Sequence, residues 1–96
     1  MKHIYEVMVV DELASENDRR WTDSYWDTRE EAIVEAERLW NNNESYELRV
    51  IRRTMNIPGV GFNYWNDPYD MEVMFFYTNG EYEEWNEYGE LIHPRS

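Results

Sequence analysis

Ninety-six residues suffice for one domain (1–96) built on a single core, and not for two. Twenty-one carboxylates stand against nine lysines and arginines, and the resulting formal charge of −12 argues against direct binding to nucleic acid or to an anionic membrane surface. The absence of cysteine excludes disulfides, thiolate catalysis and cysteine-based zinc sites, while 42% hydrophobic content with five Trp and eight Tyr excludes a disordered chain.

The start, Met1 to Glu6, lacks an apolar core long enough for a signal peptide, and no run of the sequence is long enough to span a membrane. A cytoplasmic protein is expected, which makes the sequon Asn43-Glu44-Ser45 a coincidence. His3 to Val10 reads as a strand with Tyr5, Val7 and Val9 on one face and Ile4, Met8 and Val10 on the other. Both faces are largely apolar, as in a central strand covered on two sides. After a polar loop, Asp11 to Asp18, the stretch Arg19 to Trp26 alternates Trp21 and Tyr25 with polar residues and returns as a second strand. Thr28 and Glu31 then form a capping box ahead of Ala32, Ala36, Leu39 and Trp40, one apolar helical face with Ile33 beside it. The run Asn41-Asn42-Asn43 ends that helix, because asparagine tolerates the left-handed conformation of a C-terminal cap.

Tyr46 to Thr54 is a further strand, and residues 55–69 follow as a long loop containing Pro58, Gly59, Gly61 and Pro68. Met71 to Thr78 is strand-like and runs into Asn79-Gly80, a hairpin signal, with Glu81 to Trp85 returning. Two Gly-Glu pairs nine residues apart suggest a meander that continues to Leu91 and Ile92. The tail from His93 is expected to fray. The fold class is therefore α+β: an antiparallel sheet of about five strands in the order β-β-α-β-β-β, with one amphipathic helix packed on one face.

From Thr54 to Pro94 there is no lysine or arginine, but eight carboxylates and ten aromatic residues. A two-residue Asn79-Gly80 turn pairs Phe76 with Glu83, Met74 with Trp85 and Glu72 with Glu87. That register collects Glu72, Glu81, Glu83, Trp85 and Glu87 on one face and leaves Met71, Val73, Phe75, Tyr77 and Tyr82 for the core under the helix. Alternate strand residues stand ~7 Å apart, so Glu81, Glu83 and Glu87 form a ladder of negative charge that a groove built for phosphates can accept. Two opposing carboxylates, Glu72 and Glu87, repel. Either the pairing ends at Trp85 or a neighbouring cation relieves it, and Arg49, Arg52 and Arg53 are at hand. Each glutamate also has the plainer reading of a solvated surface charge. The helix acids Glu30, Glu31, Glu35 and Glu37 can extend the negative surface, although Glu30 and Glu31 are explained by the helix N-terminus alone. Tyr64, Trp65 and Asp67 in the long loop either present aromatic anchors to a partner or fold back as a lid on the core.

No catalytic motif stands out. His3 and His93 lie at opposite ends, and there is no HExxH, no GxSxG elbow and no phosphate-binding glycine loop. No metal or other cofactor is expected, since Asn66, Asp67, Asp70 and Glu72 lack the order and glycine of a calcium loop.

In size, charge and aromatic density over the whole chain, though in no specific motif, the protein resembles the small acidic inhibitors encoded by phages and other mobile elements, such as anti-CRISPR and anti-restriction DNA mimics. That resemblance implies a non-catalytic protein of the host cytosol, and the dense apolar alternation is that of a folded monomer or small homo-oligomer. Such a protein would occupy the nucleic-acid-binding site of a basic protein or nuclease complex. An immunity protein or antitoxin that blocks a basic nuclease uses the same physics. From another class, a small carbohydrate- or peptide-binding module would use Trp65 and Trp85 as platforms.

Overall fold

Period-two alternation of apolar side chains over most of the chain produces strands, and the single stretch of helical period produces the helix that covers them. The computed structural model describes residues 2–11, 19–42, 46–55 and 70–96. They form β1 (Lys2–Asp11), β2 (Arg20–Trp26), α1 (Arg29–Asn42), β3 (Tyr46–Met55), β4 (Met71–Phe76), β5 (Tyr82–Trp85) and β6 (Leu91–His93). All six strands join one antiparallel sheet in the order β2-β1-β3-β4-β5-β6. The α+β architecture is as expected, with one short strand more than the five anticipated. No helix among the described residues is long and apolar enough to cross a membrane.

The helix lies on the face that carries Val7 and Val9 of β1, Leu48 and Val50 of β3, and Phe76 of β4. Ala32 and Ala36 are fully buried against them, and their small side chains let the helix approach the sheet closely. Both ends of α1 are tied down. At its start Thr28 and Glu31 bond reciprocally, Glu31 N–H donating to Thr28 Oγ1 at 3.2 Å and the hydroxyl donating to Glu31 Oε1 at 2.8 Å. Arg29 then reaches β5 across the helix-covered face, donating to Glu84 at 2.6 Å and to the carbonyl of Trp85 at 3.0 Å. Near the other end the Trp40 indole donates to the Tyr77 carbonyl at 2.8 Å, with its ring 4.7 Å from that of Phe76. As anticipated for a central strand, β1 is buried on both faces, with Met8 and Val10 buried on one as Val7 and Val9 are on the other.

The hairpin register departs from the two-residue turn. Phe76 pairs with Tyr82, Phe75 with Glu83 and Met74 with Glu84. The loop has three residues, Thr78 to Gly80, because Tyr77 N–H donates to Glu81 O at 2.9 Å and Gly80 N–H to Tyr77 O at 3.3 Å, with Gly80 left-handed at φ 87°. The next turn repeats this design. Asn86 N–H donates to Glu90 O at 2.9 Å and Gly89 N–H to Asn86 O at 3.0 Å, with Gly89 at φ 81°. The two Gly-Glu pairs thus mark two equivalent turns of the β4-β5-β6 meander.

A one-residue slip moves every side chain of the partner strand to the other face. Met74 and Phe76, not Phe75 and Tyr77, enter the core under the helix, and Tyr82 packs beside Phe76. Val73 joins them at an irregularity of β4 opposite Val50 and Ile51. Phe75 and Tyr77 stack on each other on the opposite face, 4.4 Å apart. The tail does not fray as expected: Arg95 pairs with Glu81 at 2.8 Å and lies over the Tyr77 ring at 3.9 Å, and Tyr82 N–H donates to the Ser96 carbonyl at 3.3 Å.

Alanine at two adjacent positions distinguishes the two faces of β4. Phe76→Ala empties a site that is 2% exposed and is expected to cost about 3–5 kcal/mol. Phe75→Ala, at a half-buried position, is expected to cost less than half of that in urea denaturation. Equal losses, or a larger loss at Phe75, would contradict the placement of Phe76 in the core.

Candidate functional site

The register decides what becomes of the anticipated acidic ladder. Glu81 and Glu83 do share a face, but Glu87 lies beyond β5 in the following turn, so the three do not form one ladder. Glu81 is paired with Arg95 and also accepts from the Asn79 amide at 2.9 Å. Glu83 accepts the hydroxyl of Tyr77, and this bond raises the phenol above its ordinary pKa. Glu72 does not oppose Glu87. It pairs in register with Ile51 and forms an ion pair with Arg49, so both of the anticipated reliefs operate, strand termination at Trp85 and a neighbouring cation. Trp85 is half-buried opposite Leu91, and Tyr64, Trp65 and Asp67 lie outside the described residues. Among the ladder acids only Glu87 is exposed with no side-chain partner among the described residues.

The strongest electrostatic feature sits in the sheet. Glu6 and Arg53 are 0% and 1% exposed, on the face away from the helix, and Arg53 Nε donates to Glu6 Oε1 at 2.6 Å. Arg53 also pairs with Asp70, and Thr22 Oγ1 donates to the second oxygen of Glu6. A carboxylate taken out of water needs partners on both oxygens, and strands β2 and β3 provide one each. Arg49 lies on the same face, beside Phe75 at 5.6 Å. Burial lowers its pKa, with Arg20 and Arg53 acting in the same direction. The sequence carried a signal for this network in Glu6, the one acid within the apolar run Ile4–Val10, and in the arginines of Tyr46–Met55. Which arginine faces Glu6 depends on strand pairing.

These pairings leave an uneven surface. Arg29, Arg49, Arg53 and Arg95 are committed to Glu84, Glu72, Glu6 with Asp70, and Glu81. The side of the molecule formed by β2 and α1 keeps Asp23, Asp27, Glu30, Glu31, Glu35 and Glu37, against Arg38 and the first residues of the two elements, Arg20 and Arg29. Arg38 donates to Glu35 at 2.5 Å and holds that carboxyl below its usual range, with Asp23 close by. The side chains of Asp27, Glu30 and Glu37 have no partner among the described residues. Between these acids runs an open groove of about 340 Å³ lined by Trp26, Glu30, Glu31, Val34 and Glu35. Its floor is apolar, and Val34 is 67% exposed within it. Among the described residues no three histidine, aspartate or glutamate side chains cluster closely enough to hold a metal ion.

Compared with protein-family models, with curated proteins and with solved structures, the chain matches none.

The buried pair yields a stability test. Arg53→Met strands the Glu6 carboxylate in the sheet and is expected to cost about 3–5 kcal/mol, whereas Glu6→Met combined with Arg53→Met recovers a large part of the loss. Urea unfolding of both variants measures it. A single variant within about 0.5 kcal/mol of wild type, the level of an ordinary surface substitution, would mean that the pair contributes nothing.

Proposed function

We propose that this protein is a non-catalytic acidic inhibitor that occupies a basic, nucleic-acid-binding site on a partner protein, as implied by its class resemblance to anti-CRISPR and other anti-defence DNA mimics. One observation carries the proposal: β2, α1 and the turn between them gather six carboxylates against three arginines, Arg20, Arg29 and Arg38, and Arg29 is bound to Glu84 on β5. A surface of one sign that the fold does not neutralise steers a partner of the opposite sign. The cationic surfaces that cells build most strongly are those that grip phosphate.

The hairpin contributes less than its sequence suggests, because Glu72, Glu81 and Glu83 already have partners within the fold. The β2–α1 side also offers apolar area in Trp26 and Val34, so binding there need not rest on charge alone.

Displacement of labelled DNA tests the proposal. The purified protein is titrated into a panel of RNA-guided nucleases, restriction enzymes and toxin nucleases holding a fluorescent duplex, at low and high salt. Release from at least one of them, weakened at least tenfold between ~50 and ~200 mM salt, is the expected outcome. Retention of the duplex by every member, or release insensitive to salt, would contradict it.

A further inference from the structure

The groove on the β2–α1 side has the chemistry of a receptor for one particular side chain. Glu30 and Val34 are one helical turn apart, as are Glu31 and Glu35, so the two pairs run side by side with the apolar residue among the acids. Trp26, the last residue of β2, closes the groove opposite them, and its indole nitrogen is engaged by Ser24 Oγ at 2.7 Å. What the groove offers a visitor is therefore apolar surface and the ring, not an indole donor. An apolar floor beneath carboxylates suits a side chain that is apolar along its stem and cationic at its tip. Tryptophan is the best aromatic partner for such a cation, and arginine stacks on rings while presenting a planar fork to carboxylates.

The helix N-terminus contributes a partial positive charge, about half a unit, that opposes a cation. Glu30 and Glu31 in the first turn outweigh it. Arg38 is held by Glu35, and Arg29 is turned to Glu84 and the Trp85 carbonyl on β5, so neither fills the groove. Glu31 is shared with Thr28, which leaves Glu30 as the acid with no described partner.

We infer that the Trp26–Val34 groove is a docking site for an arginine side chain presented by the basic partner, with the guanidinium at Glu30 and its stem along Trp26 and Val34. This rests on the proposed function and narrows it to one pocket and one residue type.

NMR titration with acetyl-arginine methylamide tests the site directly. Acetyl-lysine methylamide and acetyl-norleucine methylamide serve as comparisons. Saturable shifts of the Trp26 indole N–H and the Val34 methyls are expected with the arginine compound, weaker ones with lysine and none with norleucine. Glu30→Gln is expected to weaken arginine binding roughly threefold to fivefold, while Glu37→Gln, on the same helix but outside the groove, leaves it unchanged. No saturable shift with arginine, an equal response to norleucine, or equal losses in the two variants would overturn the assignment. The two tests fail separately. DNA displacement without arginine binding removes the groove and keeps the function; arginine binding without displacement removes the function and keeps the groove.

Discussion

The shortage of positive charge governs this fold. With nine lysines and arginines for twenty-one carboxylates, most acids cannot be paired, and which ones are paired shapes the rest of the molecule. The most demanding is Glu6, buried in an interior strand where an unpaired carboxylate would be too costly to keep charged. Arg53 meets that demand from β3 and reaches Asp70 just before β4, so one guanidinium links three consecutive strands of the sheet. Arg49 repeats the arrangement with Glu72, and Arg29 carries it from the helix to β5. These pairs hold strands in register as well as neutralising charge, because each joins residues far apart in sequence.

Function is tied to the same shortage. Arginines engaged in the sheet are unavailable to the helix, where Glu30 and Glu37 have no partner among the described residues and Glu30 lines an apolar groove. A protein selected only for stability would scatter its charges. Clustered charge of one sign costs stability through self-repulsion and is retained where it steers association. Internal pairing of the sheet and the acidity of the β2–α1 side are thus two results of one distribution.

The helix was legible in the sequence because its signals are local: a capping box, alanines and aromatics at helical spacing, and a terminal asparagine run. The strands were legible for the same reason. The hairpin register was not, since Asn79-Gly80 suits both a two-residue turn and a three-residue loop that includes Thr78, and only the pairing of Tyr77 with Glu81 separates them. That single residue turns β5 over relative to β4, so that Tyr82 joins Phe76 and Glu83 joins Phe75, and the anticipated ladder of Glu81, Glu83 and Glu87 does not form. Of the candidate site, the acids were visible but their partners were not. The links from Arg95 to Glu81, Arg49 to Glu72 and Arg53 to Glu6 depend on strand neighbours and on the course of the tail. The groove is not legible in the sequence because Trp26 and Val34 lie on different elements and only folding brings them together.

The division between paired and unpaired acids is most directly tested by converting single carboxylates to amides and measuring urea unfolding midpoints. Glu72→Gln and Glu84→Gln each remove a half-buried ion pair and are expected to lower stability by about 1 kcal/mol. Glu37→Gln and Glu87→Gln relieve repulsion without breaking a described contact and are expected to leave stability unchanged or raise it. Four variants shifted alike, or losses at Glu37 and Glu87 with none at Glu72 and Glu84, would contradict the charge distribution on which the fold and the proposed surface both depend.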